Sequence, residues 1–181
     1  MEERKRYYSI GQFWGVTSVF GLFTGLVVFV IYFLFSLLFK HQISVFYTII
    51  YLLPLAGMIM AVLRLRDFYG QGTIRFSQAF WCGWVTALIT AIVFAAALYF
   101  IYSKMNLGEL KHKAIAIEQR ILAQSNTMSL TEIRSLRQHI QIVLSPSYLA
   151  AVNFVFYSVF GAIYALFIAI FARRKDRFIE V

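Results

Sequence analysis

Four stretches of the chain run without a single charged side chain: Tyr7 to Phe39, His41 to Leu63, Phe76 to Ser103 and Ile140 to Ala172. A helix rises about 1.5 Å per residue and the hydrocarbon core of a bilayer is about 30 Å thick, so roughly 20 apolar residues complete a crossing. Each stretch is long enough. The expected fold is all-α, an integral membrane four-helix bundle with an extracytoplasmic amphipathic helical insert between helices 3 and 4. Its spans lie near 11–39, 43–63, 77–103 and 146–172, its insert near 105–145, and 1–181 forms a single membrane domain.

Composition points the same way. With 61% hydrophobic and 14% charged residues and a mean hydropathy of +0.73, the chain lacks the polar surface that would cover a water-soluble globule of 181 residues. The basic start, Arg4-Lys5-Arg6, has the look of a secretory signal. The apolar run behind it far exceeds a signal core of roughly 7 to 15 residues, and no small-x-small cleavage site closes it, so it reads as a retained first span.

Basic residues set the expected orientation. Those before span one, those between spans two and three (Arg64, Arg66, Arg75) and those in the tail (Arg173, Arg174, Lys175, Arg177) fall on one side of the membrane in short segments against span ends. Lys40 and the six spread through the third connection fall on the other. The positive-inside rule then puts both termini and the second loop in the cytoplasm. Trp14, Trp81 and Trp84, with Tyr7 and Tyr8, open spans at one level, and Tyr99, Tyr102 and Tyr148 sit at the other, as amphipathic rings do in the headgroup zone.

Small residues recur at four-residue spacing, on one helix face each. Gly11 with Gly15 and Gly21 with Gly25 lie on span one; Ala79, Gly83, Ala87, Ala91 and Ala95 on span three; Gly161, Ala165 and Ala169 on span four. Helices in lipid are not driven together by the hydrophobic effect, so close backbone approach at such positions is where packing contacts concentrate. Packing within one bundle is the simpler use of these faces, and a homodimer or partner face is the other, with span one the outward candidate.

Chemistry-bearing groups are sparse. Thr17, Ser18, Thr24, Ser36, Thr48, Gln78, Thr86, Thr90, Asn153 and Ser158 are the main intramembrane polar residues, and no Asp, Glu, Lys, Arg or His lies in a span core. Ion-coupled carriers rely on charged groups at depth or on unwound helices. Pro54 followed by Gly57 is able to bend span two and release a carbonyl. His41, His112 and His139 all lie in connections without metal-ligand spacing, Cys82 is alone, and neither a nucleophile elbow nor a phosphate loop occurs. No enzyme activity, metal, cofactor or nucleic-acid partner is expected.

Two connections stand out. The second, Arg64 to Phe80, mixes arginines with aromatics around Gly70-Gln71-Gly72; Arg64, Arg66, Arg75 and Gln78 are the candidates for contact with an anionic lipid headgroup or a partner. The third carries two amphipathic patterns, Leu110, Ala114, Ile117 and Ile121, then Leu130, Ile133, Leu136 and Ile140, separated near Ser125-Asn126. Ser129 and Glu132 match a capping box for the second, and Ser145-Pro146 interrupts it before span four.

The second-loop run Gly72-Thr73-Ile74-Arg75-Phe76-Ser77-Gln78-Ala79-Phe80, the insert, Pro146 and the basic tail together resemble a family of small bacterial four-span inner-membrane proteins known as a domain of unknown function. The resemblance implies a multi-pass location in the bacterial cytoplasmic membrane and carries over no catalytic residue. Two functions then remain open. One is a noncatalytic accessory or scaffold partner of a membrane-associated enzyme, such as a polyprenyl-phosphate glycosyltransferase. The other is a carrier of lipid or a small amphipathic solute, which a polar cavity beside Thr86, Thr90 and Asn153 would favour.

Overall fold

The computed structural model describes residues 8–38, 44–104, 115–117, 119 and 130–173. These are helical almost throughout: α1 Ile10–Leu38, α2 Ser44–Arg64, a π turn Leu65–Tyr69, α3 Phe76–Lys104, α4 Leu130–Val143 and α5 Pro146–Ala172. Among the described residues there is no β-strand. Helices suit these sequences because each satisfies its own backbone polar groups without water. Three of them, α1 over Ile10–Phe35, α3 and α5, are long and apolar enough to cross a membrane.

Each of these three begins at a side-chain cap. Ahead of α1, Ser9 N–H donates to Gln12 Oε1 at 2.8 Å and Gln12 N–H returns to Ser9 Oγ at 3.2 Å, a reciprocal capping box. Arg75 N–H donates to Gln78 Oε1 at 3.1 Å before α3. At α5 the Tyr148 N–H donates to Ser145 Oγ at 3.3 Å, and Pro146 occupies the first helical position, where its missing N–H costs nothing.

Two compact units divide the chain: Met1–Phe94 with Phe154–Val181, and Ala95–Asn153. In the first, small residues set the helix contacts. A Cβ placed on Gly21 would meet Ile89 Cβ at 2.7 Å, and one on Gly25 would meet Val93 Cβ at 2.8 Å, so α1 lies against α3 at both positions. Gly83 faces Ala165 and Gly161 faces Ala87, which fixes these segments of α3 and α5 as antiparallel. Gly57 of α2 rests on the Thr24 side chain of α1. A side chain at any of these glycines would part the backbones that the small residues allow to approach.

Polar atoms inside this unit are satisfied by backbone carbonyls. Thr90 Oγ1 donates to Gly21 O at 3.1 Å, joining α3 to α1, and Thr86 Oγ1 donates to Cys82 O at 2.8 Å. Trp84 Nε1–H reaches Ser158 O at 3.4 Å. Tyr157 OH donates to Ile50 O at 3.1 Å. Proline explains the last: residue 54 has no N–H to give the carbonyl four residues before it, so the Ile50 oxygen is left for the tyrosine.

In the second unit, Leu98, Ile101 and Ala150 are buried, whereas Leu136 and Ile140 of α4 are half-buried and Ile142 and Val143 exposed. Asn153 donates from its amide to Leu149 O of its own helix at 2.8 Å. Residues 115–117 are helical, with Ile115 and Ile117 exposed. Leu110, Ala114, Ile121, the break near Ser125, the Ser129 cap, His41, His112, the basic start, Lys40 and the tail beyond Arg173 lie outside the described residues.

Candidate functional site

The second loop is pinned by two apolar anchors and exposes Arg64 and Arg75, while Arg66 is largely covered. Leu65 is fully buried and Ile74 nearly so, both in the cluster that includes Val16, Met58, Val62 and Ala79. Between them the chain leaves α2 through a π turn, with Gly70 N–H donating to Leu65 O, five residues back, at 2.9 Å. A tight turn follows: Thr73 N–H bonds Gly70 O at 2.9 Å while the central residues Gln71 and Gly72 hold φ of 51° and 82°. That left-handed pair explains the glycine at 72. Gly70 has its own reason, because a Cβ there would run into the Thr73 carbonyl oxygen.

The four candidate contact residues divide into two pairs. Arg64 lays its guanidinium over the Phe68 ring, 3.5 Å from the centroid, in a cation–π contact one helical turn apart. Arg66 is engaged side-on by its neighbour: Nε to Asp67 Oδ1 at 2.6 Å and Nη2 to Oδ2 at 3.1 Å. In an α-helix adjacent residues do not face one another, and this pair lies within the π turn. Arg75 is exposed, and Gln78 spends its carbonyl oxygen capping the start of α3. Gln78 is therefore committed to helix geometry as well as lying near the loop.

Beside this loop, a groove of about 320 Å³ opens between α2 and the end of α5. Its walls are apolar, with Leu55, Ile59 and Leu63 on one side and Phe167 and Phe171 on the other, and among the described residues Arg66 is the one charged side chain lining it. Phe171 is 84% exposed, an outer lip rather than a core residue. Among the described residues, no three His, Cys, Asp or Glu side chains converge as metal ligands would.

The small residues fall into three groups. Gly21, Gly25, Ala79, Gly83, Ala87, Ala91, Gly161 and Ala165 are buried. Ala95 is half-buried, in the second unit. Gly11 and Gly15 are exposed, and a Cβ on Gly15 would find nothing within 4 Å. Sequence reading overlooked Tyr157 and the packing role of Gly57. Pro54 was the available signal, since a proline inside a helix announces an orphan carbonyl four residues earlier.

Apolar helices of spanning length, drawn together through small residues and with interior hydroxyls bonded to backbone carbonyls, define a multi-pass helical membrane protein. The chain belongs to the family described as Protein of unknown function (DUF4199), whose pattern matches residues 18–174 and so takes in the second loop and the whole of α3 and α5. Neither the curated proteins nor the solved structures contain a match to it.

Proposed function

We propose that this protein is noncatalytic and works through its surface, as an accessory or scaffold partner of a membrane-associated enzyme such as a polyprenyl-phosphate glycosyltransferase. The observation that carries this reading is the closure around Thr86 and Thr90. Both are fully enclosed, with hydroxyls turned onto the Cys82 and Gly21 carbonyls rather than toward a solute path. A carrier would need such groups open to its cargo. Apolar side chains instead crowd the outside of α1 and α5, among them Phe23, Leu26, Val155 and Phe167.

In this reading the chain forms a four-helix bundle in the bacterial inner membrane, with α2 as the fourth span. Its 21 residues, rising about 1.5 Å each, match a hydrocarbon core of about 30 Å. Both termini and the arginine loop face the cytoplasm, and the α4 segment lies outside. The test is affinity purification of the full chain from native membranes in mild detergent, with copurifying proteins identified and quantified. A membrane enzyme recovered in stoichiometric amount, whose activity falls when this protein is deleted, supports the proposal. A chain recovered without any enzyme, from cells whose membrane glycosyltransferases are unaffected by the deletion, defeats it.

A further inference from the structure

We infer that the groove between α2 and α5 is a binding site for one anionic phospholipid, an acyl chain lying along its apolar walls and the phosphate received by the Arg66 guanidinium. The site is independent of the partner reading, since it needs only this chain and lipid. Its shape selects a single chain. Leu55, Ile59 and Leu63 recur every four residues on one face of α2, a ridge about 12 Å long, and Phe167 and Phe171 repeat that spacing on α5. Two parallel ridges enclose a slot, and at about 320 Å³ it stands at the small end of ligand clefts, which begin near roughly 300 Å³. That is room for hydrocarbon.

Charge selects the headgroup. Arg66 has only 14% of its side chain exposed, so it is held at the slot rather than waving in water. Asp67 occupies one edge of the guanidinium, through Nε and Nη2, and thereby fixes its plane. The remaining N–H groups, on Nη1 and the outer side of Nη2, make no hydrogen bond within the described residues and present the fork that suits a phosphate. Arg64 and Arg173 each follow a wall residue, Leu63 and Ala172, in the chain. With Arg66 these make three arginines to one carboxylate, Asp67, along the described chain next to the groove, a balance that a zwitterionic lipid matches less well than an anionic one. The mouth also coincides with the last turn of α5, where an apolar span meets the headgroup level.

The experiment equilibrates the purified full chain with equal amounts of phosphatidylglycerol and phosphatidylcholine of identical acyl chains, then counts retained lipids by native mass spectrometry. Wild type is expected to keep about one phosphatidylglycerol with roughly tenfold preference, the size of one charge-assisted contact. Arg66→Gln should bring the preference close to parity. Ile59→Trp, at the open edge of the slot, should reduce retention of both lipids; it carries the test alone if thermal melting shows that Arg66→Gln does not fold. Equal retention of the two lipids by wild type overturns the proposal. So does a preference that survives Ile59→Trp, which would mark ordinary lipid around the spans, or a dimer that this variant dissociates, which would mean that a second copy fills the slot.

Discussion

The Tyr157 hydroxyl is the replacement donor for the N–H that Pro54 lacks: it reaches the Ile50 carbonyl at 3.1 Å, from 107 residues away in the chain. One proline thus creates a need on α2 that one phenol on α5 meets. Tyr157 also packs at a tilt against two rings, 5.1 Å from those of both Tyr51 and Phe94, with interplanar angles of 39° and 54°.

Removing the hydroxyl with Tyr157→Phe should lower stability by about 1 kcal/mol, because it leaves a buried carbonyl without a donor. In a Pro54→Ala background the same change should cost much less, since residue 54 then supplies the missing N–H. Thermal unfolding of the four proteins in one detergent completes the cycle. Equal losses in both backgrounds would disprove the link.

Gly21→Ala and Gly25→Ala each place a methyl group under 3 Å from a side-chain carbon of α3. Each should destabilise by about 1 to 3 kcal/mol as the helices are forced apart. Gly15→Ala, which meets nothing within 4 Å, should stay within about 0.5 kcal/mol of wild type. Melting temperatures that fail to separate Gly15 from the other two would argue against the α1–α3 contact.

Thr90→Val cuts a hydrogen bond between helices, whereas Thr86→Val cuts one within α3. The expected loss for Thr90 is about 0.5 to 1.5 kcal/mol, larger than for Thr86, because the Thr90 bond ties two helices together and the Thr86 bond stays within one. Denaturant titration of the two variants side by side reads the difference.

Gln78→Ala should weaken the start of α3 by about 0.5 to 1 kcal/mol through loss of its cap to Arg75, and leave phosphatidylglycerol retention unchanged. A fall in lipid retention without a fall in stability would return Gln78 to the headgroup contacts.

Topology is checked by reporter fusion. Alkaline phosphatase joined after Lys113 should be active and after Gly72 inactive if the third connection lies outside the cytoplasm. The reverse pattern would invert the proposed orientation.

Much of the architecture was legible because lipid imposes a simple code. Uncharged runs of spanning length mark helices, and the four-residue spacing of Gly21 and Gly25 or of Gly83 and Ala87 marks faces where backbones approach. The code names a face without naming its neighbour. That Gly21 meets Ile89 while Gly83 meets Ala165 depends on helix order around the contact, which no local pattern records. Gln78 shows a different gap. Its position three residues after Arg75 is the spacing of a capping pair, but arginine is not an N-cap residue type, and the charged neighbourhood drew attention to lipid instead. The Arg66–Asp67 pairing was hidden for a third reason, since adjacent residues meet here within a π turn that the sequence does not announce.

The Pro54 gap also gives the protein a clock. Ile50 is synthesised long before Tyr157, so on the ribosome α2 exists for a time with a carbonyl that its own helix cannot satisfy and whose eventual donor has not been translated. Arrival of α5 closes that account. Early in biogenesis α2 is thus the segment with most reason to accept a temporary hydrogen-bond donor, and a chain truncated before α5 would carry that unmet demand permanently.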